Sequence, residues 1–272
     1  MPDDDEIDPQ TIAFFFDFDG TLADIADDPA SVVLLSETRN ALAELSRLSG
    51  GALAVISGRP LQQLDRFLHP LKFPLSGVHG LERRDAAGRL HTTPFDSTDL
   101  SKMVNEITRF ADSHEGLMAE AKPGSVALHY RRNPEMEADS VLLATRLAST
   151  VPGVTLMRGK MVVELRLGGR SKGDAVLDFM TEPPFEGRRP LYAGDDVTDE
   201  DAFHRVAAMN GITVKIGGGK TLARWRAADA AAFRRWLSRI VSGRGLKAGI
   251  PRGILEPADA AAPGRRLGGT TG

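Results

Sequence analysis

Residues 11–25, "TIAFFFDFDGTLADI", join an unbroken apolar run to two aspartates, Asp17 and Asp19, and then to Gly-Thr. An apolar run without polar alternation predicts a strand, residues 11–16, that is buried on both faces, as strands of parallel sheets are. Ionised carboxylates beside a core lose solvation, which costs free energy unless a partner compensates. The stretch therefore predicts a parallel sheet that ends, at this strand, in a charged site.

The segments that follow repeat the order of strand and helix. Residues 36–51, "SETRNALAELSRLSGG", have apolar positions at helical spacing between plausible start and stop signals. The segment "ALAVISGR" (52–59) predicts a second buried strand, and the proline after it suits the first turn of another helix. This order is typical of a doubly wound parallel sheet, whose ligands lie beyond the carboxyl ends of the strands. Asp17, Asp19 and Ser57 would all lie at that edge.

The middle of the chain has a different pattern, which predicts an inserted α+β domain. Segments with helical or strand-like spacing occur there at 98–116, 124–132, 137–153 and 160–167. Before them, residues 77–92 predict two strands joined by a turn. After them the α/β pattern returns with a helix at 172–180, strands within 189–203 and 212–219, and a closing helical stretch at 221–241. The predicted parts are 1–96 and 169–243 for the core, 97–168 for the insertion, and 244–272 for a disordered tail rich in Gly, Pro and Ala.

Composition narrows the classes of function. The chain has 272 residues, 42% hydrophobic and 26% charged, as is ordinary for a soluble globular protein. A net charge of −3 gives no electrostatic case for nucleic acid or an anionic membrane as partner, and no apolar run approaches the roughly 20 residues of a membrane span. Cysteine is absent, which excludes disulfides, thiolate catalysis and cysteine-type zinc sites. The acidic N-terminus argues against a secretory signal, so we expect a cytoplasmic protein; a monomer is compatible with the sequence.

Four short motifs, each weak alone, occur in order: Asp17-x-Asp19, Ser57-Gly58-Arg59, Lys172, and Gly194-Asp195-Asp196 with Asp199. Three of them follow strand-like apolar runs, which would bring them to one edge of one sheet. Asp17 and Asp195 would repel each other there unless a cation lay between them, and a site of oxygen ligands favours Mg²⁺. We therefore expect Mg²⁺ and Lys172 to neutralise the aspartates.

This set of residues fits phosphoryl transfer. A hydroxyl nucleophile would need a paired histidine at a strand end, whereas an aspartate can form an aspartyl-phosphate. Phosphoryl oxygens need charge neutralisation, which Mg²⁺, Lys172, the Ser57 hydroxyl and backbone N–H groups of the first loop would supply. The second carboxylate, Asp19, can protonate the leaving oxygen and then activate water.

The order "DFDGT … SGR … K … GDDVTDEDAF" resembles the haloacid dehalogenase (HAD) superfamily of phosphohydrolases. The resemblance implies a Rossmann-like HAD core with the inserted α+β domain as its cap. The implied catalytic residues are Asp17 as nucleophile, Asp19 as general acid and base, and Ser57 and Lys172 as holders of the phosphoryl group. The implied metal ligands are Asp17, the backbone carbonyl of Asp19, and Asp195, with Asp196 and Asp199 as outer or water-mediated contacts.

A closer resemblance, over residues 13 to about 225, is to the trehalose-6-phosphate phosphatase family. It is carried by "DFDGTLADI", "GVHGLE", "AKPGSVALHYR", "GKMVVELR" and "GDDVTDEDAF". The resemblance implies a small-molecule sugar phosphate as partner and assigns substrate binding to Gly58, Arg59, His79, Glu82, Lys122, Ser125, His129, Arg131 and Glu164, with Tyr130 and Arg166 in the same motifs. Many relatives have Glu-x-Arg-Pro where this chain has Leu167 after the arginine, a difference that bears on a local bend.

Several other interpretations stay open. The same catalytic residues would serve a phosphatase for sucrose 6-phosphate or a mannosyl phosphoglycerate, or a phosphomutase. A protein of a different class, a non-catalytic sugar-phosphate sensor, would be expected to lack Asp17 or Asp19, and both are present. In the cap, His129 and Tyr130 could face a core, and Glu164 could face solvent. The segment "IGGGKT" (216–221) is not a P-loop, because the first glycine of that motif is replaced by Val214.

Overall fold

Two β-sheets organise the chain in the computed structural model, which describes residues 7–26, 28, 31–94, 97–122, 124–159, 161–242 and 255–258. The strands are β1 (Ile12–Phe16), β2 (Leu53–Ile56), β3 (Leu75–Gly77), β4 (Glu82–Arg84), β5 (Leu90–Thr92), β6 (Met118–Lys122), β7 (Ser125–His129), β8 (Thr155–Gly159), β9 (Val162–Arg166), β10 (Arg189–Gly194), β11 (Ile212–Ile216), β12 (Trp225–Ala227) and β13 (Leu255–Pro257). The helices are α1 (Ser36–Leu48), α2 (Leu61–Leu68), α3 (Ser97–Asp112), α4 (Glu137–Thr150), α5 (Lys172–Met180), α6 (Glu200–Ala208) and α7 (Ala230–Val241).

The larger sheet has nine strands in the order β13-β12-β11-β10-β1-β2-β3-β4-β5. Its inner pairs, from β12 through to β3, are parallel, and the pairs at its two edges are antiparallel. Strands β10, β1 and β2 are neighbours, so the residues that follow them meet at one edge of the sheet. The predicted doubly wound α/β fold is confirmed.

Strand β1 shows why its sequence lacks alternation. Phe14 and Phe16 lie in the apolar cluster that includes residues of α1, α2 and α7, whereas Phe15 lies in the cluster that includes residues of α5 and α6. Both faces of the strand are therefore buried against helices, and every position in it is apolar.

The smaller sheet is antiparallel, with the order β6-β7-β9-β8. Val126, Leu128, Val163 and Leu165 pack with apolar residues of α3 and α4. Because side chains alternate along a strand, the remaining positions of β7 and β9 lie on the opposite face. That face carries the polar residues that the sequence motifs single out. All these elements fall within the predicted insertion, 97–168.

Three sequence expectations need correction. Strands β6 and β8 have no counterpart among the predicted elements; they are edge strands of the smaller sheet, and their sequences, "MAEAK" and "TLMRG", contain few strong strand formers. Trp225 was expected in the closing helix but lies in β12, because its segment pairs with β11 and the helix begins only after Asp229, which caps Ala232. Within the predicted disordered tail, Leu255–Pro257 pairs with β12 as an edge strand; the rest of the tail lies outside the described residues.

Among the described helices, none is both long and apolar enough to cross a bilayer.

Replacing Phe185 by alanine should reduce the free energy of unfolding by about 3–5 kcal/mol, since a buried ring would leave a cavity. Its ring centroid lies 5.3 Å from that of Phe15 and 5.1 Å from that of Phe179, and the residue is 0% exposed. Urea unfolding would measure the change. The exposed Leu90 provides the control, because its replacement by alanine should change stability by at most about 0.5 kcal/mol. Similar effects of the two variants would contradict the packing described here.

Candidate active site

A buried ion pair lies at the edge where β1 ends. The carboxylate of Asp17 follows β1, is 4% exposed, and has its Oδ1 atom 2.8 Å from Nζ of Lys172. Lys172 is the first residue of α5, which is preceded by a capping box formed by Ser171 and Asp174. Burial alone would lower the pKa of Lys172, but Asp17 and Asp199 raise it above its ordinary value. The structure thus places the ammonium of Lys172 between Asp17 and Asp199.

Asp199 anchors the other side of Lys172. Its Oδ1 atom accepts hydrogen bonds from Lys172 Nζ at 2.7 Å and from the hydroxyl of Tyr192 at 2.8 Å. Its Oδ2 atom accepts from the backbone N–H of Asp196 at 2.9 Å. Both carboxylate oxygens of this fully buried residue are thus held in place. Sequence reasoning missed Tyr192, although a tyrosine hydroxyl within an otherwise apolar strand needs a buried partner.

Asp17, Asp195 and Asp199 form an acidic cluster, with ligand oxygens all within 4.8 Å of one another. Burial raises the pKa of Asp17 well above its ordinary value; Lys172 opposes this shift, and the other two carboxylates add to it. Burial and the charge of Asp199 raise the pKa of Asp195 to about 6. Three carboxylates around one lysine leave an excess of negative charge, and their oxygen donors suit a hard divalent cation.

Asp196, predicted as an outer or water-mediated contact of the metal, lies outside this cluster of three. Its side chain is exposed and caps the short 3₁₀ turn of residues 197–199. The turn instead directs Asp199, three positions further along the chain, into the cluster. Spacing along a loop could not distinguish these two aspartates, because only the turn geometry determines which one is buried.

A second missed residue, Lys215, stands beside the acidic cluster. It is 5% exposed, lies in β11, and its ammonium donates a hydrogen bond to the backbone carbonyl of Asp195. A lysine inside an apolar strand is costly to bury without a partner. The single lysine within the otherwise apolar segment "ITVKI" could therefore have indicated a buried site residue.

Asp19 points towards the loop after β2. Arg59 donates to both oxygens of its carboxylate, from Nε at 2.6 Å and from Nη2 at 2.7 Å. Ser57 is buried at the end of β2, and its hydroxyl oxygen accepts the backbone N–H of Arg59 at 3.2 Å. The structure thus brings Ser57, Arg59 and Asp19 to the same edge of the sheet.

The loop after β3 bridges the two sheets through His79. Its ring Nε2 lies 3.8 Å from Oε2 of Glu164 on β9, and the hydroxyl of Ser125 on β7 donates to Oε1 of the same glutamate at 2.8 Å. His79 has a left-handed backbone, with φ 54°, which places its ring against Gly58. Burial and the charges of Arg166, Lys172 and Lys122 keep its pKa well below the ordinary value. Glu164 of the smaller sheet therefore lies directly opposite His79, which follows β3 of the larger sheet.

The polar face of the smaller sheet also holds His129 and Lys122. His129 Nε2 lies 2.9 Å from an oxygen of Glu120, and Lys122 Nζ lies 3.4 Å from the same oxygen. The hydrogen bond with His129 lowers the pKa of Glu120 to about 2. The charge of Lys122 contributes to this lowering of the pKa, whereas partial burial opposes the shift. Sequence reasoning missed Glu120, although it stands two residues before Lys122 and so shares its face.

Four other predicted residues have different surroundings from one another. Arg166 is 7% exposed, and within the described part of the chain its Nε and Nη1 atoms have no hydrogen-bond partner. Arg131 follows β7 and is exposed. The side chain of Glu82 accepts the backbone N–H of Leu61 at 3.1 Å and so stabilises the start of α2. Tyr130, by contrast, packs in the apolar cluster of the smaller sheet.

Solved structures identify the class of fold. A haloacid dehalogenase-like hydrolase from B. subtilis aligns with a TM-score of 0.63 at 13% identity, over 85% of this chain and 99% of that one. The C-terminal domain of the C. albicans trehalose-6-phosphate phosphatase aligns with a TM-score of 0.76 at 25% identity, over 86% of this chain and 92% of that one. The fold is that of the HAD-like hydrolases.

Sequence comparison is more specific. The family model described as trehalose-phosphatase matches residues 15–230. The trehalose-6-phosphate phosphatase of Escherichia coli (strain K12) is 42% identical over 230 residues, which are 85% of this chain and 86% of that protein. The chain belongs to the trehalose-phosphatase family.

Replacing Gly20 by alanine should reduce phosphatase turnover on the order of 10²-fold, as a misplacement of about 1 Å can do. Gly20 has φ +73°, and an added Cβ would lie 2.1 Å from Oδ2 of Asp195, so that carboxylate would have to move. Rates of phosphate release would measure the loss. Gly88→Ala is the matched control, because Gly88 has φ +81° but nothing within 4 Å of an added Cβ. Equal losses in both variants would refute the role of this close approach.

Proposed function

We propose that the protein is a Mg²⁺-dependent phosphoric monoester hydrolase that converts trehalose 6-phosphate to trehalose and phosphate. The observation that carries this proposal is the buried Asp17–Lys172–Asp199 arrangement at a sheet edge that faces the polar side of a second sheet. The names of the similar proteins supply the substrate, since both the E. coli and the C. albicans proteins are trehalose-6-phosphate phosphatases. We propose the cytoplasm as its location, on the sequence argument alone.

The proposed reaction has two displacements. In the first, a carboxylate oxygen of Asp17 attacks phosphorus, the bond from phosphorus to the sugar oxygen breaks, and Asp19 gives its proton to that oxygen. In the second, water attacks the aspartyl-phosphate, Asp19 takes a proton from the water, and the bond to Asp17 breaks. Asp17 and Asp19 end as they began, with trehalose and phosphate as products.

The surrounding cations support this chemistry. Lys172, held between Asp17 and Asp199, would neutralise a phosphoryl oxygen beside the nucleophile, and the buried hydroxyl of Ser57 would donate to another. Asp17, Asp195 and the backbone carbonyl of Asp19 would hold Mg²⁺, with Asp199 committed mainly to Lys172. When bound, Mg²⁺ would supply charge neutralisation for the phosphoryl group. The excess of negative charge at the cluster is what favours this assignment.

Substrate binding is assigned to the cap, residues 97–168, which we propose as a separate domain over the core. Its polar face offers charged and hydroxyl groups that a disaccharide can bind, among them Lys122, Ser125, His129 and Glu164. His79 would complete the cleft from the core side. Exclusion of water by the closed cleft would favour transfer to Asp17 over unproductive reactions.

A panel of sugar phosphates tests the proposed function. Phosphate release would be measured from trehalose 6-phosphate, sucrose 6-phosphate and glucose 6-phosphate, with Mg²⁺ and with a chelator, and with Asp17→Asn as the blank. We expect a strong preference for trehalose 6-phosphate that is lost on chelation and in the blank. Metal-dependent release without that preference would leave the catalytic aspartates in place and reject the cap assignment. Absence of release from every compound would favour a phosphomutase or a non-catalytic sensor.

Replacing Glu164 by alanine should reduce turnover of trehalose 6-phosphate far more than turnover of a small aryl phosphate. Glu164 faces His79 across the cleft, where a sugar would lie, and it is removed from the acidic cluster. Steady-state kinetics on both substrates would measure the two losses. Glu135→Ala, an exposed acidic residue of the same insertion, should leave both rates unchanged. Equal losses on the two substrates would give Glu164 a structural role.

A further inference from the structure

The contact between Arg59 and Asp19 joins two residues that are 40 positions apart. Nε and Nη2 of the guanidinium donate in parallel to the two carboxylate oxygens, at 2.6 and 2.7 Å. Such a two-point contact fixes the plane of a carboxylate as well as its position. Without it, the short Asp19 side chain, which is 34% exposed, would be free to rotate towards solvent.

The guanidinium itself is held in place from the other side. Its central carbon lies 4.9 Å from the ring centroid of Phe67 and 5.9 Å from that of Phe18, and these two rings stack at 5.4 Å. Nη1 donates to the side chain of Gln63 at 3.3 Å. Phe18 is fully buried between the two aspartates of the first motif, and Phe67 belongs to α2. Arg59 therefore links Asp19 to the rigid part of the core.

An arginine that captures a phosphate needs donors that point at it. Each of the three nitrogens of Arg59 already has an acceptor within the protein, and its side chain is 11% exposed. Lys172 and Ser57, which stand at the acidic cluster and at the end of β2, are better placed for the phosphate. The contacts of Arg59 are thus those of a residue that orients another side chain.

We propose that Arg59 is a positioning residue for Asp19 and acts on leaving-group protonation, although the motif predicts it as a substrate ligand. The inference rests on the proposed function, in which Asp19 gives a proton to the leaving oxygen. A weakly basic leaving group departs readily as an anion, so its departure depends little on this proton. A sugar alkoxide is strongly basic, so its departure depends strongly on it. Loss of Arg59 should therefore matter more as the leaving group becomes more basic.

The test compares kcat/KM across leaving groups, because this ratio reports the steps up to departure of the first product. The substrates would be aryl phosphates from 2,4-dinitrophenyl phosphate to phenyl phosphate, together with trehalose 6-phosphate. For Arg59→Met, which keeps an apolar stem against Phe67, we expect losses on the order of 10²-fold with trehalose 6-phosphate and at most about threefold with the dinitrophenyl ester. Asp19→Asn should show the same trend, and the double variant should be no worse than Asp19→Asn alone.

Controls separate this inference from the proposed function. Arg66→Ala removes an exposed arginine one position before Phe67 and should leave the whole series unchanged. Arg59→Lys, which keeps the charge but cannot make the two-point contact, should show a weaker version of the same trend and serves if the methionine variant does not fold. A loss equal for all leaving groups, or one that adds to that of Asp19→Asn, would overturn the inference. A wild-type protein inactive on every substrate would reject the proposed function itself.

Discussion

The ammonium of Lys172, buried between the carboxylates of Asp17 and Asp199, is the interaction on which the rest of the site depends. Burying one charge alone costs several kcal/mol, so these three side chains can be buried only together and only with their hydrogen bonds complete. Neighbouring strands supply that arrangement: β1 and β10 pair in parallel, and the capped start of α5 brings the lysine to their ends. The apolar sequence of β1 provides a rigid base for this arrangement, since both of its faces are packed against helices.

The acidic cluster carries more negative charge than the neighbouring Lys172 can neutralise. Lys172 does not balance the three carboxylates, and burial, together with their mutual repulsion, raises the pKa values of Asp17 and Asp195. A divalent cation, as proposed above, would relieve this repulsion with its positive charge. Gly20 is needed beside this cluster, because any larger residue would displace the carboxylate of Asp195. Its left-handed backbone lets the loop after β1 pass against that carboxylate.

We propose that the larger sheet provides the catalytic residues and that the smaller sheet provides substrate selection. The edge of the larger sheet holds Asp17, Ser57 and Lys172, the residues that we propose to act on the phosphoryl group. The smaller sheet turns a polar face towards that edge: Glu164 accepts a hydrogen bond from Ser125 on its own sheet and lies 3.8 Å from His79, which follows β3 of the larger sheet. The left-handed backbone of Val78 and His79 is strained for residues with side chains, and such strain is commonly kept where it places a functional group. Here it places the imidazole of His79 3.8 Å from Glu164 of the smaller sheet.

The sequence by itself determined the parallel α/β core, the inserted α+β segment and the edge at which Asp17, Asp19, Ser57, Lys172 and Asp195 meet, because uninterrupted apolar strands and the motifs after them are local signals. The sequence did not predict the strand at Trp225 or the edge strands β6 and β8, because their pairing with the neighbouring strands β11, β7 and β9 outweighs weak local propensity there. Only the tertiary structure shows that Asp199 is buried in the acidic cluster whereas Asp196 is exposed. It also shows that Tyr192 and Lys215 make hydrogen bonds at the site and that Arg59 binds the carboxylate of Asp19. Each of these depends on the turn of a loop or on a contact between residues far apart in the chain, and spacing along a sequence carries no information about either.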